Sequence, residues 1–284
     1  MGAKIIDGKA IAATIRSEIK LKVEKIVADG KRAPALAVVL VGKDPASQVY
    51  VGCKRKACHA LGITSVEHLL DGTIDEKTLL ELITKLNDDD DIDGILVQLP
   101  LPKQIHEQTV LEHINPLKDV DGFHPVNVGR LVSNAPGIRP CTPAGIVEML
   151  KRSHIHLSGK KAVVLGRSNI VGKPTATLLL HESCTVTVCH SKTNHLNDIT
   201  KSADILIAAI GKVKFVTADM IKPGAVVIDV GVNRTPDGLV GDVDFVPAKE
   251  VASHISPVPG GVGPMTIAML MHNTLLAYKL RGRA

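Results

Sequence analysis

The sequence predicts an α/β protein with two domains, each built on a parallel β-sheet. The chain has 284 residues, about twice the length of a common domain. Short aliphatic runs alternate with amphipathic helical patterns, which is typical of successive βαβ units. Trp is absent, and only two Tyr and three Phe occur. The core is therefore expected to be aliphatic, which suits strands buried on both faces.

The first αβ series begins near the start of the chain. It is expected to contain a helix over 9–29, a strand over 35–41, a helix over 44–61, a strand over 65–70, a helix over 78–87 and a strand over 94–99. Asp44 should cap the second helix, with Pro45 in its first turn and Gly62 just past its end. Strands and helices that alternate in this order favour a parallel sheet.

The pattern weakens after Pro100, where a loop with short helical turns is expected. Thr142 should cap a helix that ends near Arg152. A second series follows, with strands over 161–166, 185–190, 204–211 and 225–231, a helix over 173–182 and a last helix over 265–280. The restart of the pattern predicts a domain boundary near residue 150.

Composition and charge exclude one large class of partner. The 34 Lys and Arg residues exceed the 29 Asp and Glu residues by a net charge of +5, which is spread along the chain. This mild excess suits a small anionic ligand and does not imply DNA binding. Few aromatic rings are present to stack on bases. We therefore expect no nucleic-acid partner.

The cysteines and the start of the chain favour a cytoplasmic protein. The five cysteines form no Cys-x-x-Cys pair and are expected to be reduced thiols. The first residues lack a secretory signal, and no apolar run approaches the roughly 18 residues of a membrane span, so no membrane association is expected. The twelve His residues lack metal-binding spacing, so no metal is expected.

The acidic run over residues 88–93 partly matches a calcium-binding pattern. Asp89, Asp91 and Asp93 match the first half of an EF-hand loop, but Pro100 stands where the final Glu is needed. This favours a solvated turn.

A glycine-containing turn predicts a nucleotide site in the second domain. Gly166, Arg167 and Ser168 follow a strand and open a helix, where phosphates could meet helix N–H groups. The next strand leads into Ser191 and Lys192, without the carboxylate that an NAD site uses to bind the ribose. Arg167, Ser191 and Lys192 could instead hold a 2′-phosphate, which favours NADP. The alternatives are a turn without a ligand and an ordinary exposed Lys192.

A tyrosine and a lysine on one helix are candidates for proton transfer. Tyr50 and Lys54 lie four residues apart and therefore share a face of the helix. The same face carries Ser47, Val51, Cys58 and Leu61 and should pack on the sheet. A lysine there would be desolvated, which lowers its pKa and makes it a usable base. The alternatives are that Lys54 reaches solvent and that Tyr50 is only a packing residue.

Three further segments could contribute to a site. Gln98 ends an apolar strand at the edge where open αβ sheets bind ligands. Asp119 and Asp121 could bind amino groups of a ligand, although Asp121 followed by Gly122 is also a common turn. The segment 257–264 contains three glycines and three prolines, which suits a stiff loop whose backbone approaches another group closely.

Six motifs together resemble those of the bifunctional methylenetetrahydrofolate dehydrogenase/methenyltetrahydrofolate cyclohydrolase family. They are Tyr50-x-x-x-Lys54-x-Lys56, Val97–Pro102, Lys118–Gly122, Gly166–Ser168, Cys189–Thr193 and Pro257–Thr266, in the same order. The resemblance implies two reactions in one pocket. A hydride passes from 5,10-methylenetetrahydrofolate to NADP+, and water then converts the methenyl product to 10-formyltetrahydrofolate.

The resemblance also implies a role for each site residue. Lys54 would handle protons in the hydrolysis with help from Gln98, Tyr50 would stack on the folate and Asp121 would hold the pterin. The catalytic group is thus Lys54, Tyr50, Gln98 and Asp121. The folate would be lined by Tyr50, Val97, Gln98, Leu99, Asp121, Pro259, Gly260, Gly261, Val262 and Gly263. NADP would be held by Gly166, Arg167, Ser168, Ser191 and Val232.

The fold of the family implies how the chain is divided. Residues 1–140 with 265–284 would form a folate-binding catalytic domain, and residues 141–264 a Rossmann-like NADP-binding domain, with a cleft between them. The resemblance further implies a homodimer and a place in one-carbon metabolism and purine biosynthesis. Two alternatives remain: an NADP-dependent dehydrogenase of an amino acid or hydroxy acid, and a non-catalytic NADP sensor.

Overall fold

The computed structural model describes residues 2–236 and 238–282, which form two compact units. One unit contains the chain up to Ala12 and Thr142–Thr266; we call it the Gly166 unit. The other contains Ala13–Cys141 and the chain from Ile267 onward; we call it the Lys54 unit. Among the described residues, no helix is both long and apolar enough to cross a membrane.

The helices and strands alternate along most of the chain. In order they are β1 (Lys4–Ile5), α1 (Gly8–Ala28), β2 (Ala35–Val41), α2 (Pro45–Leu61), β3 (Thr64–Leu70), α3 (Glu76–Asp88), β4 (Gly94–Val97), α4 (Glu107–His113), α5 (Pro125–Val132), α6 (Cys141–Arg152), β5 (Lys161–Leu165), α7 (Gly172–His181), β6 (Thr185–Cys189), α8 (Leu196–Lys201), β7 (Ile205–Ala208), a 3₁₀ turn (Ala218–Met220), β8 (Val226–Asp229), β9 (Asn233–Thr235), β10 (Gly238–Val240), α9 (Phe245–Val251), β11 (His254–Ile255) and α10 (Val262–Leu280).

The Lys54 unit contains a three-stranded parallel sheet in the order β3-β2-β4. The central strand β2 has the predicted bounds, and all seven of its residues are buried. Asp44 caps α2 by accepting a hydrogen bond from the backbone N–H of Ser47 at 2.7 Å, and Gly62 ends this helix in a left-handed conformation. Both caps were predicted from the sequence.

The Gly166 unit contains a six-stranded sheet in the order β1-β11-β8-β7-β5-β6, and all of its strand pairs are parallel. β9 and β10 form a separate antiparallel hairpin. The first residues group with this unit because β1 pairs with β11, with Ile5 opposite Ile255. The domain expected over residues 1–140 with 265–284 did not include this pairing.

Several local expectations differ from the structure. Thr142 is not a helix cap, because α6 already begins at Cys141; its hydroxyl instead shares a hydrogen bond of 2.8 Å with that of Thr266. The segment after Pro100 contains two helices, α4 and α5. The acidic turn is only partly solvated, since Asp93 is fully buried and accepts hydrogen bonds from the guanidinium groups of Arg32 and Arg281.

Candidate active site and cofactor site

Lys54 is joined to Gln98 by a direct hydrogen bond. The Nζ atom of Lys54 on α2 donates to Oε1 of Gln98, just past the end of β4, at 2.8 Å. The amide of Gln98 is itself oriented, because its Nε2 donates to the carbonyl of Leu99 at 2.6 Å. The Lys54 side chain is half-buried and its amine meets Gln98, so it does not simply reach solvent.

The helical face around Lys54 is buried except at Tyr50. Ser47, Val51, Cys58 and Leu61 on α2 are buried, as expected of a face that packs on the sheet. Tyr50 is instead 41% exposed, so packing does not account for it. Its ring is accessible to a planar ligand. Val97 is buried at the end of β4, and Leu99 is half-buried.

Lys54 and Asp121 perturb each other's ionisation. Burial lowers the pKa of Lys54, while the charge of Asp121 opposes that shift. Burial raises the pKa of Asp121 to about 6, although the charge of Lys54 lowers it in part. At neutral pH Asp121 is mostly ionised, and Lys54 is closer to releasing its proton than a lysine in water.

Asp119 anchors the loop that presents Asp121. Its buried carboxylate accepts hydrogen bonds from the backbone of Gly122 at 3.1 Å, the backbone of His124 at 2.8 Å and the side chain of Asn127 at 2.9 Å. Gly122 has φ 76°, and a Cβ there would lie 2.7 Å from the backbone of Arg139. The two carboxylates therefore differ: Asp119 binds its own turn, whereas the ionisation of Asp121 is coupled to Lys54.

Two residues outside the predicted set support the same loop. Nδ2 of Asn273 on α10 donates to the carbonyls of Val120 at 2.9 Å and Arg139 at 2.8 Å. Nζ of Lys118 donates to the carbonyls of Leu86 at 2.8 Å and Asp89 at 2.6 Å, and burial lowers its pKa to about 8. Lys118 belongs to one of the quoted motifs, whereas no local pattern marks Asn273.

The Gly166 unit contains a cavity of about 340 Å³ at the carboxyl ends of its strands. Its lining includes four predicted residues, Gly166, Arg167, Ser168 and Ser191, together with His190, Leu196, Ile210, Lys212 and Phe215. Arg167 and Lys212 make this lining cationic, and it contains no carboxylate, which fits an anionic dinucleotide. Val232 is exposed and does not line this cavity.

Gly166 and Ser168 shape the turn between β5 and α7. Gly166 has φ 115°, and a Cβ there would lie 2.1 Å from the carbonyl oxygen of Ala209. Ser168 Oγ accepts hydrogen bonds from the backbone N–H groups of Val171 and Gly172, each at 3.2 Å. Two of the N–H groups at the start of α7 therefore already have a partner within the protein.

The loop Pro259–Gly263 belongs to the Gly166 unit and leads into α10. Pro259 and Gly263 are exposed, whereas Gly261 and Val262 are buried. The carbonyl of Gly260 accepts a hydrogen bond from Lys9 N at 2.9 Å, and a Cβ on Gly8 would lie 1.9 Å from the carbonyl oxygen of Gly261. The close backbone approach expected of this loop is made to the start of α1.

A parallel sheet with a cationic cavity at the carboxyl ends of its strands is typical of nucleotide-binding α/β proteins. The other unit adds a desolvated lysine beside an amide and a carboxylate, which suits proton transfer. The described residues contain no group of three or more His, Cys, Asp or Glu that could hold a metal ion.

Comparison with known families identifies the particular class. The catalytic-domain model of tetrahydrofolate dehydrogenase/cyclohydrolase matches residues 6–121, and the NAD(P)-binding-domain model of the same family matches residues 140–282. The chain belongs to the tetrahydrofolate dehydrogenase/cyclohydrolase family.

Individual relatives match this chain along almost its whole length. "Bifunctional protein FolD" of Acetivibrio thermocellus is 55% identical over 284 residues, which is 100% of this chain and 99% of the relative. A crystal structure of the bifunctional FolD enzyme of Campylobacter jejuni has a TM-score of 0.96 at 50% identity and covers 98% of this chain and 99% of its own. The Trypanosoma brucei enzyme, solved with NADP cofactor and inhibitor, has a TM-score of 0.95 at 40% identity, with 100% of both chains covered.

These matches confirm four predictions: the family, the fold class of two parallel αβ domains, the pair of activities and NADP as cofactor. They do not support the alternatives of a dehydrogenase for amino acids or hydroxy acids and of a non-catalytic sensor.

Proposed function

We propose that Lys54, assisted by Gln98, is the proton-transfer group for both halves of the hydrolysis of 5,10-methenyltetrahydrofolate. The observation that carries this proposal is the hydrogen bond of 2.8 Å between Lys54 Nζ and Gln98 Oε1 beside Asp121. The substrate is already an electrophilic cation, so no further activation of its carbon is needed. What the site must supply is a group that accepts a proton from water.

The proposed hydrolysis has two proton transfers. The water oxygen bonds to the methenyl carbon while one water proton passes to the neutral amine of Lys54. The bond from this carbon to N5 then breaks, its electron pair goes to N5, and Lys54 returns the proton to N5. The remaining hydroxyl proton leaves to solvent, and a formyl group is left on N10. Gln98 orients the amine throughout, because its Oε1 accepts a hydrogen bond from Lys54 Nζ.

The substrate is proposed to bind through Tyr50 and Asp121. The accessible ring of Tyr50 stacks on the folate, and the carboxylate of Asp121 accepts hydrogen bonds from the pterin amino groups. Val97 and Leu99 complete the proposed folate lining of the Lys54 unit. Pro259, Gly260, Gly261, Val262 and Gly263 are proposed as folate-binding residues from the family resemblance. In the dehydrogenase reaction, the bound cofactor supplies the acceptor for the hydride, and the protein mainly provides alignment.

The cofactor is proposed to bind the cavity of the Gly166 unit. Gly166 permits the close turn, Ser168 fixes the start of α7, and Arg167 and Ser191 face the 2′-phosphate. Val232 is proposed as a further contact of the cofactor, which only the family resemblance supports. An assay that follows NADPH formation from 5,10-methylenetetrahydrofolate, and then the loss of methenyl absorbance, tests the whole proposal. Absence of either signal would contradict it.

The preference for NADP is the first prediction. Arg167 and Ser191 line the cavity, and no carboxylate there repels the 2′-phosphate. We expect kcat/KM to favour NADP+ over NAD+ by at least about tenfold, or ~1.4 kcal/mol, a modest demand on charge-assisted hydrogen bonds. Ser191→Asp should reduce this ratio, whereas Ser158→Asp at an exposed site should not. Equal use of both cofactors by the unaltered enzyme would refute the prediction.

The assembly is proposed to be a homodimer, and the open edge of β3 supports this. Among the described residues, β3 pairs only with β2, whereas β4 on the other side is flanked by a bridge between Ile95 and Asp119. An exposed strand edge is a template for pairing with another chain. Leu69 of β3 is 67% exposed and would be covered there.

A matched pair of variants tests this surface. Leu69→Glu should shift the mass measured by light scattering from dimer to monomer, because a buried carboxylate opposes pairing. Leu21→Glu on α1, where the leucine is 68% exposed, should leave the mass unchanged. Loss of the dimer in both variants, or in neither, would contradict an interface at β3.

A cytoplasmic location is proposed from the thiols, since all five cysteines are free, as expected in a reducing compartment. The product carries a formyl group on N10 that a transferase can use. This supports a place in one-carbon metabolism and a supply of carbon units to purine biosynthesis.

A further inference from the structure

Two buried carboxylates lie behind the wall of the cofactor cavity. Asp229 ends β8 and is 3% exposed, and Asp242 follows β10 and is fully buried. Neither side chain lines the cavity. A buried carboxylate is costly unless hydrogen-bond donors compensate its charge, so the groups that surround these two are informative.

Asp242 binds the turn that follows β7. Its Oδ2 accepts hydrogen bonds from the backbone N–H groups of Ile210 at 2.7 Å and Gly211 at 2.9 Å. Its Oδ1 accepts from the N–H of Lys212 at 2.9 Å and from Nδ2 of Asn233 at 3.0 Å. The four donors are uncharged, and three are consecutive backbone groups, so the carboxylate fixes the conformation of this turn.

Asp229 fixes Asp242 in turn. Its Oδ1 accepts from the backbone N–H groups of Gly231 and Asp242, and its Oδ2 from that of Val243, each at 2.9 Å. Neither Gly231 nor Gly241 could carry a side chain here. A Cβ on Gly231 would lie 2.2 Å from Asp242 Oδ1, and a Cβ on Gly241 would lie 1.9 Å from Asp229 Oδ2. The two carboxylates therefore belong to one hydrogen-bond network that holds the turn after β7.

The supported turn is part of the cavity wall. Ile210, Lys212 and Phe215 line the cavity, and Lys212 Nζ lies 5.4 Å from the centre of the Phe215 ring. The segment also contacts the backbone of Asp242, since Val216 N donates to the carbonyl of Asp242 at 2.9 Å. The position of this wall therefore depends on Asp242.

We propose that Asp242 is a positioning residue for the cofactor: it holds the Ile210–Lys212 turn, and with it Lys212 and Phe215, in the conformation that accepts NADP. The inference rests on the proposed assignment of this cavity to the cofactor. Asp229 acts one step further out, by fixing the backbone of Asp242.

The test measures NADP+ binding by calorimetry in the full-length protein. In Asp242→Asn, the new NH2 group must face at least one backbone N–H donor, so the turn has to move. We expect the Kd for NADP+ to rise by at least about tenfold, because the donors lose their acceptor and the wall shifts. Hydrolysis of preformed methenyltetrahydrofolate should stay within about twofold, since Lys54 and Gln98 lie in the other unit and Asp242 binds neither them nor the Pro259–Gly263 loop. Asp198→Asn, at an exposed carboxylate of the same unit, should leave the Kd unchanged.

Two further variants, Asn233→Ala and Ser191→Asp, separate the possible outcomes of this test. If Asp242→Asn does not fold, Asn233→Ala removes one donor to the same carboxylate and should raise the Kd at least about threefold. A folded variant with an unchanged Kd, while Ser191→Asp still weakens binding, overturns the role of Asp242 alone. If Ser191→Asp also leaves the Kd unchanged, the cavity is not the cofactor site, and the inference falls with that assignment. A lower melting temperature with an unchanged Kd would show a purely structural role and also overturns it.

Discussion

Lys54→Gln should nearly abolish the hydrolysis while sparing much of the dehydrogenase reaction. Glutamine is one bond shorter than lysine and still carries an N–H donor, but it lacks the amine that accepts a proton. Loss of a general base typically costs 10²–10⁴-fold, so we expect kcat for methenyltetrahydrofolate to fall by roughly that factor. Hydride transfer depends mainly on alignment and should fall less. The variant should release the methenyl compound, which a rise in methenyl absorbance would reveal.

Folding and cofactor binding serve as controls for this result. Glutamine is nearly as good a helix former as lysine, so α2 should persist. Lys77→Gln on α3, at an exposed lysine of the same unit, should leave both activities unchanged. A folded Lys54→Gln enzyme that hydrolyses the methenyl compound at the original rate would remove Lys54 from the mechanism. Asp121 would then be the next group to test as proton acceptor.

The sequence predicted the long elements well because their signals are local. β2 was located to the residue, since seven consecutive buried aliphatic residues lie between Pro34 and Gly42. A loop with short helical turns was expected after Pro100, but the bounds of α4 and α5 could not be predicted, because seven or eight residues are too few to establish a helical period. β1 and β11 have two residues each, and their pairing joins parts of the chain that are about 250 residues apart.

An apolar run does not reveal where a strand ends. The strand expected over 204–211 corresponds to β7, which stops at Ala208. Ala209 and Ile210 are still apolar because they line the cavity. Similarly, a strand was expected over 225–231, but β8 ends at Asp229, whose side chain accepts backbone hydrogen bonds.

The candidate site was predictable where residues follow neighbouring strands, and not elsewhere. α2 follows β2 and Gln98 follows β4, and these two strands pair, so topology brings Lys54 and Gln98 together. The contact of Asn273 with Val120 spans 153 positions, and its acceptor is a backbone carbonyl, so no pattern of residue types marks it. The anchoring of Asp119 by its own turn was also invisible, because the spacing of Asp119 and Asp121 fits two ligand-binding carboxylates equally well.

Asp121→Asn should weaken both activities together, in contrast to Lys54→Gln. The carboxylate is proposed to hold the pterin, which is common to both substrates. Hydrogen bonds to a charged group contribute about 1.5–3 kcal/mol, so kcat/KM for each folate substrate should fall between about tenfold and 200-fold. The Kd for NADP+ should not change. Asp29→Asn, at an exposed carboxylate of the same unit, serves as the control.

The pH dependence of the same residue gives an independent test. The pKa of Asp121 is raised to about 6, so the group is ionised above that pH and neutral below it. A neutral carboxyl loses part of its capacity to accept hydrogen bonds from the pterin, so kcat/KM for 5,10-methylenetetrahydrofolate in the dehydrogenase reaction, which does not use Lys54 as a base, should fall as the pH drops through about 6. This parameter reports the ionisation of the free enzyme, to which the pKa applies. In Asp121→Asn the acid limb should disappear. A variant that retains the same limb near pH 6 would assign it to another group and remove the ionised carboxylate from substrate binding.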